Sequence, residues 1–174
     1  MALTLAFYKG TRQENPQARL LDRAICWWYR SRGRFSHVEL VIPGTRTAGT
    51  ATCVSASPRD GGVRSTRIHL TSGRWVLVTL PYHPSAPAVD WFDQHDGAPF
   101  DWQGIAGFVL TFLRESLKRF YCARSQALAI RESARISLLP LEWPEARRIS
   151  PSALFAWAAD QPGAVVHELP EVFA

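Results

Sequence analysis

The chain has 174 residues, nearly half hydrophobic and a fifth charged. That is the size of one domain, spanning 1–174, which buries a core without disulfide or metal staples. The net charge of +5 comes mainly from scattered arginines. Without a nucleic-acid motif beside it, this charge gives no reason to expect specific nucleic-acid binding.

Three cysteines, Cys26, Cys53 and Cys122, are an odd number without metal-like spacing. They point to a reducing compartment rather than to a disulfide framework or a metal centre, and no cofactor is expected. Met1 to Lys9 lacks a charged region before its apolar run, so no signal peptide is expected. The longest apolar run, Gly104 to Leu113, is too short to span a bilayer. The spacing predicts neither an oligomeric state nor an internal repeat.

Leu3 to Tyr8 predicts a first strand, stopped by Gly10. Asn15-Pro16 opens a helix to about Tyr29, with Leu20, Leu21, Ala24, Ile25 and Trp28 at helical spacing and Cys26 within the packing. Phe35 to Ile42 alternates as a strand that ends at Pro43-Gly44. Val38, Leu40 and Ile42 share one face; His37 and Glu39 share the other. Cys53 to Ser57 and Val63 to Leu70 predict a hairpin around the Pro58-Arg59-Asp60-Gly61-Gly62 turn. Trp75 to Leu80, apolar on both faces, predicts a central strand closed by Pro81.

Val89 to His95 predicts a short helix, and residues 97–102 a loop. Gly104 to Phe120 predicts a helix with Phe108, Phe112 and Leu113 in one stripe. A new helix begins at or just before Cys122, since no Pro or Gly interrupts the run to Ile130. Ser133 to Pro144 predicts a loop. Ser150-Pro151 has the N-cap and first-turn proline of a final helix, and Val165 to Leu169 predicts a last strand. The class is α+β.

Cys122 and His37 carry the chemistry. A cysteine in the first turn of a helix faces unpaired N–H groups and the positive end of the macrodipole, which favour the thiolate. A thiol nucleophile needs a base, and the base gains from an orienting group. His37 supplies the imidazole and Glu39 a carboxylate two residues along the same strand face. Same-face neighbours stand ~6–7 Å apart along a strand, so Ser55 and Asp60 are alternative third members. His69 and His83 read as bystanders.

Ser36-His37-Val38-Glu39-Leu40, Phe100-Asp101-Trp102 and Tyr121-Cys122, in that order, resemble the circularly permuted NlpC/P60 cysteine hydrolases of the papain-like superfamily. The YiiX/YebB-like branch, which includes phage and prophage proteins, looks nearest. Residues 57–64 and Ser150 to Leu154 are also similar. The resemblance implies a papain-like permuted fold, an antiparallel sheet packed on helices, with the nucleophile at a helix N-terminus. It implies a hydrolase with Cys122 and His37 catalytic, Glu39 third and Tyr8 as an oxyanion donor. The expected substrate is a peptide, amide or acyl compound, such as a peptidoglycan peptide. Alternatives are a lipid acyltransferase or thioesterase-like enzyme, or a binding module without catalysis. The expected setting is a bacterial cytoplasm or a phage. The family often reads Cys-Ser-Glu where this chain has Cys122-Ala123-Arg124.

Overall fold

The computed structural model describes residues 1–9, 34–47, 49–70, 73–107, 116–137 and 140–168. The expected Asn15–Tyr29 helix with Cys26, and the Phe108–Leu113 stripe, lie outside the described residues. Among the described residues, six strands form one sheet: β1 (Ala2–Tyr8), β2 (His37–Val41), β3 (Thr50–Ser57), β4 (Gly62–His69), β5 (Trp75–Pro84) and β6 (Val165–Glu168). Their order is β4-β3-β2-β1-β5-β6, and every pairing is antiparallel. Four helices are described: α1 (Ser85–Gln94), α2 (Trp102–Ala106), α3 (Cys122–Ile136) and α4 (Pro151–Ala159).

The sheet alternates as its sequence does. Leu3, Leu5, Phe7, Val38, Leu40, Val76, Val78 and Leu80 build the main core with α1, α3 and α4. Ala6, Tyr8, Val41, Cys53, Trp75 and Leu77 form a second cluster. Cys53 lies mid-strand in β3 and is fully buried, rather than at the strand's start. α3 crosses β2, β3 and β5 and packs along α1. Ala123, Ala127 and Ile130 supply its apolar stripe.

Three expectations need correction. β5 does not close at Pro81 but runs to Pro84. Its register against β1 shifts between Leu3↔Leu80 and Ala2↔Pro84, so Pro81 falls in an irregular stretch where the ladder needs no N–H from it. α1 therefore starts at Ser85, with Pro87 tolerated in its first turn. α3 runs through Ser133 to Ile136 instead of giving way to a loop. No Pro or Gly breaks it, the Ser133 hydroxyl donates to the Pro84 carbonyl at 2.7 Å, and Arg135 pairs with Glu132. The helix expected from Gly104 to Phe120 does not reach Phe120. α2 ends at Ala106, and residues 116–121 are extended or bent.

That last segment places the cysteine. Phe120 bridges Phe100, and its N–H donates to the Pro99 carbonyl. Residues 98–100 are laced in turn to the β3–β4 hairpin, Val63 N–H to Ala98 and Phe100 N–H to Gly61. Gly62 has to be glycine, since a Cβ there would sit 2.0 Å from the Ala98 oxygen. The Phe120 ring packs edge-on against Trp91 of α1 and His95 at its C-cap, at 5.2 Å each, and such burial stabilises by about 2 kcal/mol. The hairpin, the loop and the approach to Cys122 thus form one laced unit.

Candidate active site

Cys122 and His37 are the first residues of α3 and β2. Their side chains meet at the end of the sheet. The Cys122 sulfur stands near enough to the His37 ring to raise the pKa of the imidazole. β2 enters this position under restraint from α4. The Ser152 hydroxyl accepts the Phe35 N–H at 3.2 Å, and the Phe35 ring lies against Phe155 and Phe7. α4 is set as its sequence predicts, with the Ser150 side chain accepting from Ala153 N–H and Pro151 in the first turn.

Glu39 lies against the imidazole. His37 Nε2 and Glu39 Oε1 are 2.7 Å apart, closer than backbone rise alone would bring same-face neighbours. The two side chains lean together. With Nε2 engaged by Glu39, Nδ1 is the ring nitrogen left to serve the sulfur. Glu39 is fully buried, while the His37 side chain keeps 20% exposure.

A buried carboxylate needs compensation. Arg64 provides it. Its Nη1 donates to Glu39 Oε2 at 2.7 Å and its Nη2 to Oε1 at 2.6 Å, the bidentate fork of an arginine–carboxylate pair. Arg64 Nε donates to Asp60 Oδ2 at 2.8 Å. Cys122, His37, Glu39, Arg64 and Asp60 thus form one continuous line.

The protonation states follow from this line. Burial pulls the His37 pKa down, but the Cys122 sulfur and the Glu39 carboxylate outweigh it and push it from 6.5 up to about 10. Burial alone would raise Glu39. The Arg64 hydrogen bonds and the His37 charge overcome that and hold the carboxyl below its usual range. At neutral pH the site is an imidazolium held between a sulfur and a carboxylate. Cys53, by contrast, is pushed up to about 12, first by burial and then by the nearby Glu39 charge.

The other candidates are placed elsewhere. Ser55 donates to the Val38 carbonyl and does not serve the ring. Asp60 serves Arg64 rather than His37. Tyr8 pairs with His37 across the β1–β2 register, and its ring packs on Trp75 at 5.0 Å. His69 is exposed on the edge strand β4, and His83 lies at the far end of β5.

Arg64 is the residue that sequence reasoning missed, having counted it among the surface arginines. The hairpin gave the signal. Its turn sets Ser55 opposite Arg64, and the β2–β3 register of Leu40 with Val54 carries that row on to Glu39. Arg124 is the second surprise. It is buried and donates from Nη1 to the Ser116 carbonyl at 2.5 Å, with Asp101 Oδ2 at 3.4 Å. It anchors the loop before the cysteine.

Among the described residues, no group of three His, Cys, Asp or Glu side chains is placed to hold a metal ion. No described helix is long and apolar enough to cross a membrane. No family model, curated protein or solved structure matches the chain.

Proposed function

We infer that the chain is a thiol-dependent hydrolase acting on an amide, peptide or acyl bond, with a papain-like fold of the circularly permuted NlpC/P60 type. The supporting observation is the line Cys122–His37–Glu39, in which a helix-initial thiol lies near an imidazole whose pKa is raised to about 10. A histidine strand that precedes a cysteine helix supports the permuted order.

The chemistry runs as follows. Cys122 Sγ, as thiolate, attacks the carbonyl carbon, and His37 protonates the departing nitrogen or oxygen. A thioester on Cys122 remains. Water then attacks it, His37 takes the water's proton, and the Cys122 thiolate leaves with the acid released. Glu39 holds the imidazole in register and stabilises its positive charge. Tyr121, at the N-cap of α3, places no side-chain cap on the first turn. The Cys122 N–H can then serve the oxyanion beside the helix dipole. Arg124 belongs to the loop anchor, so the departure from Cys-Ser-Glu removes nothing from the line. The resemblance implies peptidoglycan peptides or acyl chains as substrates.

The test is burst kinetics with p-nitrophenyl acetate, an activated acyl donor. A hydrolase of this type releases a stoichiometric burst of p-nitrophenol and carries an acetyl mass on the Cys122 peptide. A burst retained in Cys122→Ala, or no acylation of the wild type, counts against the reading.

A further inference from the structure

The laced segment before Cys122 also builds a surface. Phe120 bridges Phe100 in parallel, and two residues further on each chain segment enters a helix. Trp102 opens α2 and Cys122 opens α3. Paired segments lie ~4.8 Å apart, so the two helices start side by side. Trp102 is 54% exposed, its ring edge-on to Phe100 at 4.9 Å. Asp101 Oδ2 accepts from the Ser116 N–H at 3.1 Å, which ties the chain neighbours of Trp102 and Leu117 together. Leu117 is 88% exposed, and Lys118 and Arg119 follow it, both exposed.

A single exposed leucine on a loop is ordinary. This one is braced from beneath. The buried Arg124 donates from Nη1 to the Ser116 and Arg119 carbonyls at 2.5 and 3.3 Å, on either side of Leu117. The Lys118 N–H donates to Ser116 Oγ at 3.2 Å. A guanidinium taken out of water thus holds the backbone that presents Leu117 outward. Residues 102–107 and 116–121 carry two charged side chains, the cations Lys118 and Arg119, and no carboxylate.

An indole and a leucine beside two cations suit the interface of a bilayer. The apolar groups reach below the headgroups, and the cations meet the anionic ones. A soluble polyanion would have no use for an outward leucine, and an apolar protein patch none for the cations. We propose that Trp102, Leu117, Lys118 and Arg119 form a docking surface for an anionic lipid membrane, beside the helix that Cys122 opens. The surface goes beyond the hydrolase reading and does not depend on it.

Vesicle co-sedimentation at about 0.1 M salt tests it. The probes are vesicles of phosphatidylcholine alone and vesicles with roughly one-third phosphatidylglycerol. Wild type binds the anionic vesicles at least about tenfold more tightly than the neutral ones, and Lys118→Gln/Arg119→Gln removes about tenfold of that affinity. Leu117→Ser, at an exposed position, weakens binding about threefold without changing charge, and Trp102→Ser/Leu117→Ser weakens it at least about tenfold. Circular dichroism verifies that each variant folds, and Cys122→Ala binds as wild type does. No binding to the anionic vesicles overturns the proposal. So does binding that the Leu117→Ser and Trp102→Ser/Leu117→Ser variants leave intact, which is adsorption by net charge alone. Binding that the cation variant leaves intact, or that disappears with Cys122, overturns it as well.

Discussion

Arg64 grips Glu39 through both of its terminal nitrogens, at 2.7 and 2.6 Å, although the two residues stand 25 apart in the chain. Glu39 can be charged and fully buried because of that grip. The pair with Asp60, whose side chain is 45% exposed, is worth well under 1 kcal/mol by comparison. Its part is to aim Arg64 through Nε.

Removing either member of the buried pair leaves an uncompensated charge. Arg64→Leu and Glu39→Gln are each expected to lower stability by about 3 kcal/mol, read by urea denaturation. The double variant should lose less than the sum. In those molecules that fold, Glu39→Gln should lower kcat by about a hundredfold with little change in KM, because the imidazolium matters most as charge develops. Unchanged turnover in folded Glu39→Gln would leave a Cys122–His37 dyad without a third member.

The pH dependence of stability has two limbs of opposite sign. His37 has a folded-state pKa raised from 6.5 to about 10. Its contribution is fully present below 6.5 and is lost as pH rises through about 10. Glu39 is depressed below 4.5. Its contribution is present above 4.5 and is lost as pH falls through its folded value. Wild type should therefore lose its stability advantage over His37→Gln between pH 7 and 11. A difference that stays level across that range contradicts the charge assignment.

Cys53 is buried mid-strand and pushed up to about 12. Iodoacetamide at neutral pH should label Cys122 and leave Cys53 untouched until the protein unfolds, as peptide mass mapping will show. Cys53→Ala should cost ~1–2 kcal/mol as a small core truncation and spare activity. Fast labelling of Cys53 in folded protein would mean that the sulfurs have been assigned the wrong way round.

Asp101 ties the first turn of α2, the segment before Cys122 and Arg124 of α3 together. Its carboxylate accepts from Gly104 N–H at 2.9 Å and Ser116 N–H at 3.1 Å, and it faces Arg124. Asp101→Ala should lower stability by about 3 kcal/mol, a lost cap and an uncompensated buried guanidinium. Hydrogen exchange should rise in residues 116–121, which lead into Cys122. A loss confined to α2 would show that Arg124 is held by other means.

Much of this was legible before the fold was known, wherever the signal is local. Alternation in residues 37–41 sets His37 beside Glu39, and the apolar run after Cys122 announces α3. Where the controlling contact is distant, the sequence is silent. Arg64 and Arg124 look like any surface arginine until strand register and loop lacing bring a carboxylate to each. The proline at 81 reads as a stop because sequence cannot show a register shift. Ser133 reads as a breaker because its partner, the Pro84 carbonyl, lies 49 residues upstream.

The most direct test of the Cys122–His37 pair is the second-order rate of iodoacetamide alkylation at Cys122, measured at pH 7 in wild type and in His37→Ala. A neighbouring base is what activates a thiol nucleophile, so removing the ring should slow alkylation at least about tenfold, with folding verified by circular dichroism. Equal rates in the two proteins would mean that His37 does not activate Cys122, and the hydrolase reading would lose its chemical basis.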